Sequence, residues 1–223
     1  MGYYGGGKCI SASDFRRKAS DQCKLAGGDL TVTYLVYFLI MGGISAVLSF
    51  AANTEVQIIN GQEVQVTTNY LESIVNLLIS GPFMYSLIYI SESVYNRMKV
   101  KVGDLFIGFE KFGGSLSVYL LTCLYTFLWT LLFIIPGIIK GYSYSMAMYI
   151  KRDNPHLSAN ECITLSKQMM DGHKWDLFCL HISYIGWVLL SILTCGILFL
   201  WVTPKMQQAE YLFYKEVSGT YNN

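Results

Sequence analysis

The sequence predicts an all-α polytopic membrane protein, with six transmembrane helices in three hairpins and interfacial amphipathic helices between them. Three observations carry this expectation. Of the 223 residues 53% are hydrophobic and only 14% are charged, too apolar and too poor in charge for an ordinary soluble domain. Residues 115–135 contain no charge, and ~20 residues make roughly 30 Å of helix, the hydrocarbon thickness of a bilayer. The 16 lysines and arginines fall on alternate connections and on one arm, leaving the three outer connections without any. That asymmetry orients membrane proteins, whereas the net charge of +1 says nothing about orientation.

Residues 1–29 read as a cytoplasmic tail, glycine-rich at first and then a short basic helix from Ser13, whose hydroxyl can cap the amides that follow. Arg16, Arg17 and Lys18 are candidate contacts to anionic lipid, each charge contributing on the order of 1 kcal/mol near such a surface. The plainer alternative is that, with Lys8 and Lys24, they only set topology. No cleavable signal peptide is expected, because no apolar stretch precedes the basic cluster. Position 6 is Gly6, not the Ser or Thr of a myristoylation motif.

A single membrane domain follows over 30–217, with 218–223 as a C-terminal tail. The first span, 30–52, has Gly42 and Gly43 near its centre, small enough to admit a neighbouring helix. The loop 53–69 lacks basic residues, and its two alternating stretches flank Asn60-Gly61, a tight-hairpin signature. It is therefore an outward-facing ribbon, either a connector or a partner site. The second span, 70–95, is long enough to tilt and has Gly81-Pro82 to kink it. Glu92 and Arg97 bracket its inner end, where a carboxylate pairs or snorkels more often than it does chemistry. The next connection is basic, and Asp104 to Phe109 suit the membrane interface.

The third and fourth spans, 115–135 and 138–150, form a hairpin that reverses at Pro136-Gly137, since proline withholds a helical donor and glycine permits the turn. Residues 151–155 end it in water. Residues 158–170 are amphipathic, with Ser158 and Glu161 at capping-box spacing and Cys162, Leu165 and Met169 on one face, which predicts an interfacial helix. The fifth span, 176–193, starts at a Lys174-Trp175 boundary. The sixth, 196–214, requires a reversal at Thr194-Cys195-Gly196; a single tilted helix over 177–202 would instead give five spans and an outer C-terminus. An internal repeat favours six: Trp129 followed by TLLFIIPGII matches Trp187 followed by VLLSILTCGIL. The two hairpins would then run in the same direction, related by an axis along the membrane normal.

Motifs of catalysis are not found: there is no phosphate loop, no HExxH and no GxSxG. The six cysteines have no CxxC spacing, so neither a metal site nor a disulfide framework is expected. The protein is read as a non-enzyme without cofactors. His181, inside the fifth span, is either an interhelical hydrogen-bonder or a ligand. On six spans, an ~1.5 Å rise puts Lys140 about 5 Å, Lys205 roughly 14 Å and Glu210 about 21 Å from the outer face. A lysine at mid-depth costs roughly 2.5 to 3.5 kcal/mol unless paired or hydrated. Lys140, Tyr142 and Tyr144 on the fourth arm, with Lys205, Gln208 and Glu210 on the sixth, therefore form a candidate polar cleft between those helices. The alternative is that Lys140 snorkels and 205–217 lie at an interface.

The stretch FLWTLLFIIPGIIKGYSYSMAMYIKRDNPHLSANECITLSKQMMDGHKWDLF, with a late proline before a tyrosine-ended helix, resembles a family of bacterial integral membrane proteins catalogued as domain of unknown function 975. The specific part is IIPGIIKGYSYSMA to DNP, with the spacing of Ser166 to Lys174. The resemblance runs from about Phe15 and implies a multi-spanning helical fold in the bacterial plasma membrane, but no activity. More distantly, the hairpin looks like the membrane region attached to some bacterial glycerophosphodiester phosphodiesterases, an analogy that implies lipid-related work.

Two function classes remain. One is a transporter-like or lipid-handling membrane protein that uses the polar cleft. The other is a membrane scaffold or regulator that recruits a cytoplasmic partner through the 104–109 and 158–170 faces. Membrane lipids are the expected partners, with a homo-oligomer or a cytoplasmic protein as further possibilities and no nucleic acid. Both termini are expected to be cytoplasmic.

Overall fold

The computed structural model describes residues 12–49, 53–59, 62–68, 70–194 and 196–221. The glycine-rich 1–11, the Asn60-Gly61 turn and Cys195 lie outside the described residues. In chain order the elements are α1 (Ala12–Ala26), α2 (Gly28–Ser49), β1 (Asn53–Ile59), β2 (Gln62–Thr68), α3 (Tyr70–Tyr95), a 3-10 turn (Val102–Phe106) and α4 (Ile107–Glu110). They continue as α5 (Phe112–Leu132), α6 (Ile134–Tyr144), α7 (Ala147–Asp153), α8 (Ala159–Met169), α9 (Lys174–Leu193) and α10 (Phe199–Tyr221). The chain is helical apart from one antiparallel ribbon, β1 on β2, whose register pairs Ile59 with Gln62 across the expected turn.

Among the described residues four helices are long and apolar enough to cross a membrane: α2, α3, α5 and α9. The expected fourth arm is not one helix. It is α6, of 11 residues, then a two-residue break at Ser145-Met146, then α7. At ~17 Å, α6 alone is too short for a bilayer. The sixth arm is a continuous helix of 23 residues that runs past residue 217 to Tyr221. It is too polar to count by composition, because Lys205, Gln207, Gln208 and Glu210 follow Pro204 within two turns.

The reversal between α5 and α6 falls at Phe133, earlier than Pro136-Gly137. Phe133 is extended (φ −156°, ψ 136°) and caps α5 through its amide to the Trp129 carbonyl at 3.1 Å. Pro136 then occupies the first turn of α6, where a missing N–H costs nothing. Gly137 is needed for contact instead: a Cβ there would lie 2.2 Å from Thr130 Oγ1 and 2.7 Å from Thr130 Cα, so α6 folds back tightly on α5. Gly108 does the same against α3, where a Cβ would sit 1.9 Å from the Pro82 carbonyl oxygen. Its amide donates to Ser86 Oγ at 2.9 Å, and Leu105 beside it is buried. Residues 104–109 are thus docked against α3 at Pro82 and Ser86. Gly42 and Gly43 meet nothing within 4 Å, so the helix contact expected there is absent.

The burial pattern separates two layers. The C-terminal half of α10 lies at the centre, with Ala209, Tyr211, Phe213, Tyr214 and Val217 buried among α1, α3, α7 and α9. Helix α1 belongs to this layer, lying antiparallel to α10 with Phe15 against Phe213 and Gln22 against Gln208. Helix α8 joins it too: Ser158 caps α8 in a full capping box with Glu161, and Cys162, Ile163 and Met169 are buried against α5, α6 and α7. In the other layer the apolar side chains are bare. Leu131, Leu132, Phe133, Ile134 and Ile135 are each 65–72% exposed, as are Ile192, Leu193 and Ile197 to a similar degree. An apolar surface of this extent is uncovered by the chain itself.

Residues 151–155 are only partly in water: Asp153 and Pro155 are exposed, but the basic pair before them is withdrawn. Lys151 is buried, its ammonium donating to the carbonyls of Pro155 and Leu157. Arg152 Nη2 lies 2.8 Å from Glu92 Oε2, an ion-pair contact without hydrogen-bond alignment, and its guanidinium sits over the Tyr89 and Tyr85 rings. Asp153 accepts from Tyr214 and Lys215 of α10 at 2.8 and 3.0 Å. Lys151 and Arg152 are withdrawn from water because each meets a carbonyl, an opposite charge or an aromatic face.

Candidate functional site: a polar junction and a basic groove

Glu210, one turn and a half beyond Pro204, is the centre of a hydrogen-bonded chain joining α6, α7, α9 and α10. Its Oε1 lies 3.0 Å from His181 Nε2, and its Oε2 accepts from the Tyr149 hydroxyl at 3.1 Å. Tyr149 in turn accepts from Gln207 Nε2 at 2.9 Å, and Tyr142 Oη lies 3.2 Å from His181 Nδ1. A neutral imidazole satisfies this arrangement in one tautomer, with Nε2–H donating to Glu210 and Nδ1 accepting from Tyr142. A protonated ring donates at both nitrogens, with Tyr142 turning to accept. Tyr149 is almost completely buried, while Tyr142 and His181 open onto a shallow groove of about 380 Å³ shared with Thr126, Thr130 and Ser145.

A second, larger groove of about 600 Å³ lies between α1, α9 and α10. Arg16, Arg17, Lys24 and Lys205 line its polar side, and Trp187, Leu198, Trp201 and Val202 its apolar side. Arg16 is fixed by donating to the Ser183 carbonyl at 2.8 Å. Next to the groove, burial pushes the Cys23 thiol up to about 12, partly offset by the Lys205 charge, so this cysteine is an inert packing residue.

The structure splits the expected cleft between the fourth and sixth arms. Tyr142 and Glu210 are brought together, but through His181 and not directly. Lys140 is apart from them, its ammonium 4.7 Å from the Trp129 ring centroid on α5. Tyr144 is buried against Tyr125. Gln208 and Lys205 face α1 instead of α6: Gln208 Nε2 donates to Gln22 at 2.8 Å, and Lys205 enters the basic groove. The cause is helical periodicity: residues 205 and 208 share the face of α10 that meets α1, whereas 210 lies on the opposite side, toward α7 and α9. Of the basic cluster, Arg16 and Arg17 line the groove, whereas Lys18 is exposed outside its lining. Sequence reasoning did not find Tyr149, Gln22, Trp187 or Trp201 as site residues. A histidine in an apolar span and a glutamate in a late amphipathic arm were the available signals for the junction.

The family model for proteins of unknown function, DUF975, matches residues 10–140 and 131–221. No curated protein and no solved structure matches. With nearly the whole described chain covered, the protein belongs to the DUF975 family.

Proposed function

We propose that this is a non-catalytic, lipid-handling protein of the bacterial plasma membrane, crossing it six times with both termini cytoplasmic. The observation that carries the reading is the chain Tyr142–His181–Glu210–Tyr149, which places ionisable groups on α6 and α9, helices that also carry bare apolar surface at their common reversal side, and on α7 and α10 packed against them. Such groups are costly at membrane depth and are retained where they serve a substrate or ion path. Six crossings follow if α6 and α7 act as one broken arm: 134–153 measure roughly 30 Å at about 1.5 Å per residue, and α10 is longer still. Two chain reversals, at Phe133 and after Thr194, support the repeat reading of the two hairpins. The scaffold alternative has less support, because Cys162 and Met169, on the α8 face it would use, are buried against the chain's own helices.

The test is lipid movement in proteoliposomes carrying a headgroup-labelled fluorescent phospholipid, followed by quenching from outside. Faster transbilayer exchange than in empty liposomes is the expected result, and Glu210→Gln should return it to the empty rate while the variant stays folded by circular dichroism. Wild-type protein with no effect on exchange would contradict lipid movement and favour a scaffold.

A further inference from the structure

The groove between α1, α9 and α10 is built in a graded way. Along α10 the lining passes from Lys205 through Val202 and Trp201 to Leu198, so about 6 Å of helix separates the ammonium-bearing position from the first indole. Along α9 it passes in the same sense from Tyr184 to Trp187, toward the turn that joins the two helices. Helix α1 closes the polar end with Arg16, Arg17 and Lys24. Both indoles are about half exposed, and the surface beyond them toward the turn continues as bare Leu193 and Ile197. The groove therefore leads from a cationic end directly onto apolar surface.

Two carboxylates share the polar end and define its electrostatics. Asp14 pairs with Arg17 at 3.3 Å and Asp21 with Lys24 at 3.6 Å, all four groups largely exposed. Those pairs are weak and easily exchanged for a stronger anion. Among the described residues Arg16 and Lys205 make no ion pair with a carboxylate, Arg16 being held by a carbonyl and Lys205 standing beside a buried thiol. Two uncompensated cations, one of them positioned by the backbone of α9, face a volume within the usual range for small-molecule sites. Arginine recognises phosphate oxygens with its planar fork, and tryptophan belongs at the boundary between headgroup and chain.

We propose that this groove binds the phosphate headgroup of an anionic phospholipid, with the acyl chains running along Trp187 and Trp201 toward the α9–α10 turn. The proposal rests on the membrane reading above and names the lipid class that the protein handles. The shared chemistry with free phosphate is the anion; the indoles distinguish the amphiphile.

The test is native mass spectrometry of the full chain in a mild detergent, titrated separately with phosphatidylglycerol, phosphatidylcholine and inorganic phosphate. Phosphatidylglycerol is expected to bind in preference to phosphatidylcholine, with no retained phosphate. Arg16→Gln with Lys205→Gln should weaken it about fivefold for each cation, roughly thirtyfold together. Asp14→Asn with Asp21→Asn removes two exposed carboxylates and should tighten it, which keeps the proposal testable if the charge-removing variant does not fold. Equal retention of both lipids, or no change in either double variant, would overturn the site, and equal binding of inorganic phosphate would overturn the amphiphile. Glu210→Gln separates the two claims: it should abolish lipid movement yet leave phosphatidylglycerol bound. Retained headgroup selectivity without any wild-type lipid movement would leave this site standing while the handling activity failed.

Discussion

Gly108 and Gly137 have no room for a methyl group, whereas Gly43 faces open space. Gly108→Ala and Gly137→Ala should therefore each cost about 1–3 kcal/mol by forcing two backbones apart, read as a lowered thermal midpoint in detergent. Gly43→Ala should cost nothing and, by helix propensity, gain up to about 1 kcal/mol. The sequence shows all three as glycines in or near apolar helices; only the packing partner distinguishes them, Pro82 on another helix for Gly108 and Thr130 across the α5–α6 reversal for Gly137. The α8 cap is the opposite case, legible from Ser158 and Glu161 alone because a capping box is a local arrangement. Hydrogen bonds from the Ser158 hydroxyl and amide hold the Glu161 carboxyl below its ordinary value. Its contribution is therefore fully present above that ordinary value and lost as pH falls through the lowered one. Ser158→Ala should destabilise α8 by about 1 kcal/mol near neutrality, measured by amide exchange, with the difference shrinking in acid.

At the scale of elements, periodicity and length located the helices well where the run was apolar throughout. Residues 70–95 form one helix over the expected bounds, and 176–193 fall within α9. The arms that carry the candidate site were less legible, because their polar residues meet partners far along the chain. Glu92 was legible as a pairing carboxylate, but its partner Arg152 lies in a stretch whose charge density reads as a solvated loop. Both side chains are largely withdrawn from water, so removing one leaves the other uncompensated. Arg152→Ala should cost roughly 3–5 kcal/mol, and replacing both by neutral residues should cost less than the sum of the single changes. A double-mutant cycle in thermal unfolding checks this, and simple additivity would show that the two charges do not depend on each other. The polar cleft was legible only in its members: Tyr142 and Glu210 share one hydrogen-bonded chain through His181, while helical phase sends Lys205 and Gln208 to α1.

For the whole molecule, composition and the distribution of lysine and arginine gave the helical class and the expectation of a membrane protein, and four helices meet the length and apolarity of a span. Crossing number is harder to read because α6, α7 and α10 mix apolar and polar turns, so hydropathy averages out along each arm. The two layers give a physical criterion that composition lacks: bare apolar side chains gather at the two described reversals, over 131–135 and at Ile192, Leu193 and Ile197, while the Glu210 junction and the Glu92–Arg152 pair lie away from them. That arrangement suits hairpins entering from one side and returning to it. The most direct test is cysteine labelling from outside intact cells, in a cysteine-free background with single cysteines at Gly61, Phe133, Ile197 and Asn223. Phe133 and Ile197 are exposed at the two reversals, so neither site disturbs packing. Labelling at Gly61, Phe133 and Ile197 with protection at Asn223 is the result that six crossings require. Labelling at Asn223, or protection of Phe133 and Ile197, would contradict it.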